Sequence, residues 1–483
     1  MNDLVFATAL EMADAVRRRR VSTIELMDAQ LRQIARFNHT LNAIVTLDEE
    51  RARRRAREAD AALARGETWG PLHGVPFTVK DAIETAGVRT TCGFPPLADH
   101  VPAADATVVA RLRAAGGILV GKTNTPTLTG DAQTSNPIFG TSNNPWDVTR
   151  TPGGSTGGGA AAVAAGLSPL ELGSDIGGSV RIPAHFCGIC TIQPTENCVP
   201  LTGHIPPVPG APTGIRHMSQ IGPLARSVED LVLALPLIAG PDGQRSEVPP
   251  VSMQAVPERT LKQWRLAWTS EFTGVPVDAD TRAALTSLAS QLQGLGAVIE
   301  ERPLTNFDFT AVWETWGAMF QVEHGSTLSP AEEQQFAAAF GAKLDSEAAI
   351  YRGFAQVVHA SMRQYTHLLT RRDRLISSIE RYLDGWDALL CPVTVGPAFP
   401  HCPPGTTIPV DDRSVPYWVG LVSYTCPFNV TGQPAAVIPL TQSREGLPIG
   451  LQIVGRRWSD MQVLAIAAML AKVIGPCRRP PGF

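Results

Sequence analysis

Apolar and polar residues follow one another along the chain in short stretches that predict strands interleaved with helices. Helices are predicted over residues 7–65, where Ser22 and Glu25 have the spacing of a capping box. Beyond them, a strand–helix–strand succession occurs twice, at 75–79, 106–115 and 118–120, and again at 265–268, 279–293 and 298–300. This alternation predicts an α/β fold in which helices cover a largely buried sheet.

The composition is that of a globular protein without a strongly charged surface. Of 483 residues, 44% are hydrophobic and 18% are charged, which excludes a disordered chain. The 41 basic and 45 acidic residues give a net charge of −4, which argues against a nucleic-acid or membrane-surface partner. Two arginine-rich runs, 17–20 and 51–57, are interpreted as solvated helix faces, because acidic residues surround the second run.

The N-terminus and the apolar runs predict neither export nor membrane insertion. Met1-Asn2-Asp3-Leu4 lacks the basic-then-apolar order of a signal peptide. The closest candidate for a membrane span, residues 463–474, is shorter than the roughly 20 residues required and contains Lys472. We therefore expect a soluble cytoplasmic protein with no membrane partner.

The eight cysteines are sparse for this length, and we expect buried thiols rather than disulfides. Cys187, Cys190 and Cys198, with His185 nearby, have part of the pattern of a zinc site. A second, well-spaced ligand pair does not follow them. Structural thiols are therefore favoured over a metal site.

Glycine is concentrated in one part of the chain. Between Gly153 and Gly188, 10 of 36 residues are glycine, about three times the average of the chain. Ser155 and Ser179 each lie inside a cluster of these glycines. Because small residues let a backbone approach another backbone or a ligand closely, this segment is a candidate for the functional site.

Two common motifs match the sequence without their structural context. Residues 116–123 match the phosphate loop G-x-x-x-x-G-K-T, yet a predicted helix precedes them and the intervening residues are strand-like. Micromolar ATP binding would support this alternative. The residues around Ser155 match the nucleophile elbow G-x-S-x-G, but no downstream histidine has a distinguishing context.

Lys80, Ser155 and Ser179 follow one another at intervals of 75 and 24 residues. They lie in segments 74–81, 153–157 and 173–183, which resemble the amidase signature family. Segments 121–124, 143–147, 428–434 and 446–455 are also similar to the family, so the resemblance covers nearly the whole chain. This family includes fatty acid amide hydrolase and the A-type chain of glutamyl-tRNA amidotransferase. The resemblance implies a single large α/β/α domain with a central mixed β-sheet covered by helices, and no cofactor.

The same resemblance implies a Ser–cis-Ser–Lys triad. Ser179 is then the nucleophile, Ser155 the bridging serine that follows a cis peptide bond, and Lys80 the base. A serine hydroxyl reacts only when a neighbouring base takes its proton. Lysine can be that base when burial disfavours its charged form and lowers its pKa.

The glycines before Ser179 correspond to the oxyanion loop of the family. Backbone N–H groups that converge on one point stabilise the negative oxygen of a tetrahedral intermediate. The expected donors, besides Ser179, are Ile176, Gly177 and Gly178. Thr129 matches a residue whose backbone contacts the substrate, and Asp175 and Arg181 are expected to support the loop.

The resemblance also divides the chain into five expected segments. They are an N-terminal helical segment (1–68), a catalytic core (69–240), a linker (241–262), a variable substrate-specificity region (263–425) and a C-terminal core segment (426–483). The variable region contains an aromatic stretch, which is more often core than pocket. Its members are Phe307, Phe309, Trp313, Trp316, Met319 and Phe320.

Three functions remain open from the sequence. The first is a stand-alone serine hydrolase of amides, with bulky apolar or aryl amides favoured if the aromatic stretch lines the site. Esters and carbamates (urethanes) are further substrates of the same acylation chemistry. The second is a glutamyl-tRNA amidotransferase A-type subunit, and the third is a phosphate-loop nucleotide-binding protein. The expected partners are a small-molecule amide and a second copy in a homodimer, with no nucleic acid.

Overall fold

The structure is a computed structural model that describes residues 4–254, 256, 259–326, 348–356 and 360–483. Residues 1–3, which belong to the N-terminus that was predicted to lack a signal peptide, lie outside this part of the chain. So do residues 255, 257 and 258 of the expected linker, and residues 327–347 and 357–359 of the expected variable region.

Eleven of the described strands form one mixed sheet in the order β1-β3-β2-β6-β8-β7-β14-β15-β11-β9-β10. Neighbours β3-β2-β6 and β11-β9-β10 run parallel, and the other neighbouring pairs run antiparallel. The strands are β1 (Ile44–Leu47), β2 (Pro76–Lys80), β3 (Ile118–Thr123), β4 (Ser135–Asn136), β5 (Gly140–Thr141), β6 (Leu170–Asp175), β7 (Cys190–Gln193), β8 (Gln220–Ala225), β9 (Arg265–Trp268), β10 (Val298–Glu301), β11 (Ala388–Cys391), β12 (Ile408–Val410), β13 (Arg413–Val415), β14 (Ala435–Gln442) and β15 (Pro448–Val454).

Helices surround this sheet, which confirms the predicted α/β/α domain. The described α-helices are α1 (Ala9–Arg17), α2 (Thr23–Leu41), α3 (Glu49–Ala64), α4 (Thr107–Ala114), α5 (Gly157–Ala164), α6 (Arg181–Cys187), α7 (Val228–Ile238), α8 (Ala279–Gly294), α9 (Phe309–Gly325), α10 (Ala349–Gln356), α11 (Met362–Tyr382), α12 (Tyr417–Val422), α13 (Cys426–Thr431) and α14 (Asp460–Ile474). Short 3₁₀ turns occur at Leu4–Phe6, Pro95–Leu97, Thr127–Thr129 and Leu261–Gln263.

The N-terminal prediction is correct for three helices and wrong for one strand. Ser22 and Glu25 form the predicted capping box at the start of α2. Between α2 and α3, however, β1 pairs antiparallel with β3, and Ile44 lies opposite Thr123. This strand is only four residues long, and its pairing partner lies almost eighty residues away, so local periodicity could not predict it.

Strand β2 separates an apolar side from a polar side. Phe77 and Val79 belong to a hydrophobic cluster that also contains residues of α1, α4, α7 and α14. Because side chains alternate along a strand, Thr78 and Lys80 point to the opposite face. There Lys80 is completely buried, so the strand places a lysine inside the protein among polar groups.

The phosphate-loop match is part of a strand and not a loop. Residues 118–123 form β3, and the Lys122 side chain is completely buried. Its ammonium donates to the carbonyl of Ile83 and, at 2.9 and 3.2 Å, to the hydroxyls of Thr85 and Thr90. Lys122 therefore holds the chain that follows Lys80, and it is not available to a phosphate group.

The cysteines near His185 do not gather into a metal site. Cys187 Sγ contacts the carbonyl of Pro152, and Cys190 Sγ lies 3.7 Å from Cys477 Sγ, a neighbour that the sequence did not indicate. Across the described part of the chain, no three His, Cys, Asp or Glu side chains are arranged to hold a metal ion. Nor does any described helix have the length and apolar character needed to cross a membrane.

Candidate active site

The glycine-rich segment is deeply buried. From residue 151 to residue 196, which are all described, only Ser179 is not fully buried. Ser155 is 1% exposed, and the peptide bond between Gly154 and Ser155 is cis. Within this segment, Ser179 is therefore the side chain that a molecule from solvent can reach.

The structure brings Lys80 and Ser155 into direct contact. Lys80 Nζ donates to Ser155 Oγ at 2.7 Å and to Ser174 Oγ at 3.1 Å. Lys80 ends β2, and Ser174 lies on the neighbouring strand β6. The pairing of these two strands thus places Ser174, one of the two hydroxyl partners of the lysine nitrogen, next to Lys80.

Lys80 has the electrostatic setting of a base. Burial lowers the pKa of Lys80 to about 7, although the nearby Cys92, Asp175 and Glu171 act in the opposite direction. A substantial fraction of the lysine is therefore neutral near pH 7 and has a lone pair that can take a proton.

A backbone hydrogen bond joins Ser179 to the residue that follows Ser155. The carbonyl of Ser179 accepts a hydrogen bond of 3.1 Å from the N–H of Thr156, the residue that follows Ser155. Ser179 follows β6 and precedes α6 by two residues. The three predicted triad residues therefore come from β2, from the segment just before α5 and from the turn between β6 and α6.

The turn before Ser179 leaves several backbone N–H groups without a hydrogen-bond acceptor among the described residues. Those of Ile176, Gly177 and Ser179 have no acceptor within the described residues. The N–H of Gly178 differs from the expectation, because it donates to Asp175 Oδ1 at 2.8 Å. Three of the four expected donors are thus available to an oxygen atom of a substrate.

Asp175 and Arg181 clamp this turn from inside the protein. The Arg181 guanidinium binds both carboxylate oxygens of Asp175, at 2.9 and 3.1 Å, and neither side chain is exposed. Asn429 donates to the same carboxylate. Burial alone would raise the pKa of Asp175, but the charge of Arg181 and the hydrogen bonds from Arg181, Asn429 and the Val180 N–H together lower the pKa below its usual value. The turn is therefore built on a charged, fully bonded carboxylate.

Two side chains from distant segments hold the carbonyl groups of the turn. Trp316 Nε1 donates to the carbonyl of Ile176 at 2.8 Å, and Thr425 Oγ1 donates to that of Gly177 at 2.5 Å. A Cβ atom on Gly177 would lie 2.6 Å from the Trp316 ring, and one on Gly178, whose φ is +129°, would lie 2.5 Å from Thr425 Oγ1. Both positions therefore require glycine.

The aromatic stretch is mostly core, as the sequence favoured. Its six side chains belong to one buried hydrophobic cluster. Trp316 is also part of the site, because its indole nitrogen donates to the carbonyl of Ile176 in the turn. Spacing on a helix could not distinguish it from Trp313, which donates to the carbonyl of Ser423 instead.

Thr129 lies in the 3₁₀ turn Thr127–Thr129 with a positive φ of 58°. Its N–H donates to Pro126. The segment that follows it packs on Gly154, where an added Cβ would lie 2.7 Å from the carbonyl carbon of Ala132. This places the Thr129 loop beside Ser155, and the contact of Thr129 with substrate remains a prediction.

Two polar contacts near the site were not predicted from the sequence. His204 Nε2 lies 2.8 Å from Ser174 Oγ, behind Lys80. Tyr417 donates to Asp131 Oδ1 at 2.6 Å, and burial raises the pKa of Asp131 to about 6. Ser174 lies one residue before Asp175 in the segment that resembles the family, and this position could have identified it as a residue near the site. No sequence signal identified His204.

The chain is similar to several known proteins over nearly its whole length. The family model described as Amidase matches residues 25–464. The A-type chain of glutamyl-tRNA(Gln) amidotransferase from Geobacillus thermodenitrificans is 32% identical over 484 residues, which cover 95% of this chain and 96% of that one. The solved structure of 6-aminohexanoate cyclic dimer hydrolase with its substrate is 25% identical and covers 99% of each chain, with a TM-score of 0.82. Fatty acid amide hydrolase, at 22% identity, has the same fold with a TM-score of 0.82 over 98% of this chain and 86% of that chain.

These matches extend over nearly the whole chain and include the segments of Lys80, Ser155 and Ser179. They confirm the family resemblance seen in the sequence. The chain therefore belongs to the amidase family, whose members share the amidase signature.

Proposed function

We propose that the protein is a serine hydrolase that cleaves the carbon–nitrogen bond of amides through an acyl-enzyme. Ser179 is the nucleophile, Ser155 passes the proton, and Lys80 is the base. The observation that supports this most directly is the 2.7 Å contact between Lys80 Nζ and Ser155 Oγ in a fully buried setting. A lysine with a pKa of about 7 suits a base that works near neutral pH.

In the acylation step, Ser179 Oγ attacks the amide carbonyl carbon and transfers its proton to Ser155 Oγ. Ser155 passes its own proton to Lys80 Nζ, which becomes an ammonium. The carbonyl oxygen becomes an oxyanion, and the N–H groups of Ile176, Gly177 and Ser179 are the donors that stabilise it.

Collapse of the tetrahedral intermediate completes acylation. The carbon–nitrogen bond breaks, and the proton held by Lys80 returns through Ser155 to the departing amine. Water then attacks the Ser179 ester, and Lys80 again takes a proton through Ser155. The bond between the acyl carbon and Ser179 Oγ breaks, and the proton held by Lys80 returns through Ser155 to Ser179 Oγ. The products are a carboxylic acid, an amine and the free enzyme.

The surroundings of the turn favour apolar acyl or aryl groups over charged ones. Trp316 borders Ile176 and Gly177, and its ring lies near those of Phe320, Phe354 and Trp418. The name of 6-aminohexanoate cyclic dimer hydrolase describes a relative of this fold that acts on a cyclic dimer. We infer that bulky apolar or aryl amides are the substrate class, with esters and carbamates as further substrates.

A second candidate function is an amidotransferase A-type subunit. Identity of 32% over nearly the whole chain with such a protein supports it. The two candidates differ in what the isolated chain does. A stand-alone hydrolase releases aniline from acyl anilides without a partner, whereas an amidotransferase component requires a partner for efficient ammonia release from glutamine.

Purified chain assayed with an acyl anilide and with glutamine tests this choice. We expect anilide turnover with saturation kinetics and little glutaminase activity. Glutaminase activity that exceeds anilide turnover, and that rises on addition of partner subunits, would favour the amidotransferase.

Gly177→Ala is expected to reduce kcat by about 10- to 100-fold, since the added methyl displaces Trp316 or the turn and misplaces an oxyanion donor. The matched control is Gly294→Ala, because a Cβ at Gly294 meets nothing within 4 Å. Steady-state kinetics on an anilide measure both variants. Equal kcat in both would show that the turn does not need this geometry.

A further inference from the structure

A chain of hydrogen bonds runs from the base to a buried histidine on the side away from Ser155. Lys80 Nζ lies 3.1 Å from Ser174 Oγ, and Ser174 Oγ lies 2.8 Å from His204 Nε2. His204 Nδ1 lies 3.1 Å from the carbonyl oxygen of Pro206. His204 is 7% exposed and Ser174 is 3% exposed, so water has little access to this chain.

The chemistry of Pro206 fixes the direction of these bonds. A carbonyl oxygen only accepts, so Nδ1 of His204 must hold the ring proton. Burial, together with the nearby charge of Lys80, lowers the pKa of His204 to about 3, so the ring is neutral. Nε2 is then an acceptor, and the Ser174 hydroxyl donates its proton to it. Ser174 Oγ can therefore accept a hydrogen bond from Lys80 but cannot donate one to it.

This direction matters for the neutral form of Lys80. A neutral amine has two N–H bonds and one lone pair, and the reaction needs that lone pair at Ser155 Oγ. A serine hydroxyl rotates freely to suit its partners. If Ser174 were free to turn, its O–H could donate to the lone pair of Lys80 and compete with Ser155.

We propose that His204 is a positioning residue, which holds the Ser174 hydroxyl away from Lys80 and reserves the lysine lone pair for Ser155. This inference rests on the proposed role of Lys80 as base. His204 touches neither the substrate nor the reacting atoms, and it acts through Ser174 alone.

The backbone keeps this arrangement in register with Lys80. Ile205 N–H donates to the carbonyl of Ala82 at 2.7 Å, and Ile83 forms a β-bridge with His204. The residues that flank the histidine are therefore bonded to the chain just after the lysine. The loop of His204 is thus attached to the backbone directly after strand β2.

Removal of the histidine acceptor gives the first test. His204→Ala and the bulkier His204→Leu are expected to lower kcat on an anilide by about 10- to 100-fold with little change in KM, a part of the 10²–10⁴-fold that a positioned base contributes. His204→Gln retains an acceptor near the position of Nε2, and it is expected to recover most of the activity. Two acceptor-free variants keep the test valid if one does not fold.

The pH profile separates this role from a structural one. A Ser174 hydroxyl that donates to Lys80 stabilises the neutral amine, so the acidic limb of kcat/KM should move to lower pH in His204→Leu while the plateau falls. The other groups that act on the lysine charge are Cys92, Asp175 and Glu171, and they are unchanged in this variant. A merely loosened site would lower the plateau without this movement.

The double variant Ser174→Ala/His204→Leu is the decisive comparison. It lacks the competing hydroxyl, so its kcat should exceed that of His204→Leu by about 10-fold. If the double variant is no faster than His204→Leu, or if His204→Leu is as active as the unchanged protein, the inference is wrong. If instead Lys80→Ala keeps its activity, the proposed function itself fails, so the two failures are distinguishable.

Discussion

Ser179→Ala is expected to lower kcat for amide hydrolysis by about 10⁴-fold or more, while the protein stays folded. The nucleophile of an acyl-enzyme mechanism has no substitute, and loss of such a serine in other hydrolases has effects of this size. The change removes one oxygen from a half-buried side chain, and the backbone bond between the Ser179 carbonyl and Thr156 N–H is retained. We therefore expect an almost unchanged melting temperature.

Steady-state kinetics on an acyl anilide, with a thermal melt of each variant, measure this prediction. Ser290→Ala is the matched control, because Ser290 is an exposed serine of α8 that bonds only within its own helix. It should retain full activity. A Ser179→Ala variant that keeps more than a tenth of the activity would assign the nucleophile elsewhere.

The second large effect is the dependence of catalysis on the charge of Lys80. Burial lowers the pKa of Lys80 to about 7, and the reaction needs the neutral amine. Below that pH the protonated fraction dominates, so kcat/KM should fall about 10-fold for each pH unit. Above it, the neutral fraction approaches one and the profile should level off. This loss of activity at low pH reflects the smaller fraction of neutral Lys80.

Lys80→Met should lose about 10³-fold or more at every pH, and Lys80→Arg should do the same, since a guanidinium stays protonated. The control is Lys472→Met, which removes an exposed lysine of α14 and should leave the profile unchanged. Rates of anilide hydrolysis from pH 5 to pH 9 provide the measurement. A profile that stays flat down to about pH 5 would contradict lysine as the base.

Several helices and strands of the fold were predictable from the local sequence pattern. The alternation in 75–79 identifies β2, and the helices α1 to α4 and α8 follow from periodicity and capping residues. Strand β1 was not predictable, because a four-residue run gains its structure from pairing with β3. In that case tertiary pairing outweighs local preference.

The candidate site likewise contains some residues that the sequence could identify and others that it could not. Lys80, Ser155 and Ser179 lie in segments with a distinctive local composition, so the family resemblance could find them. His204 and Trp316 reach the site from 30 residues and 140 residues away from the groups they bond. Nothing in their local sequence distinguishes them from buried core residues, and only the folded chain shows what they touch. The contact between Cys190 and Cys477, which are 287 residues apart, likewise has no local sequence signal.

Labelling with a fluorophosphonate, followed by peptide mass spectrometry, tests the central claim most directly. This reagent bonds covalently to a serine oxygen only when a neighbouring base activates it. We expect one modified residue, Ser179, with loss of activity in proportion to labelling, and no labelling in Lys80→Ala. Modification of a different residue, together with retained activity in Ser179→Ala, would contradict the proposed triad.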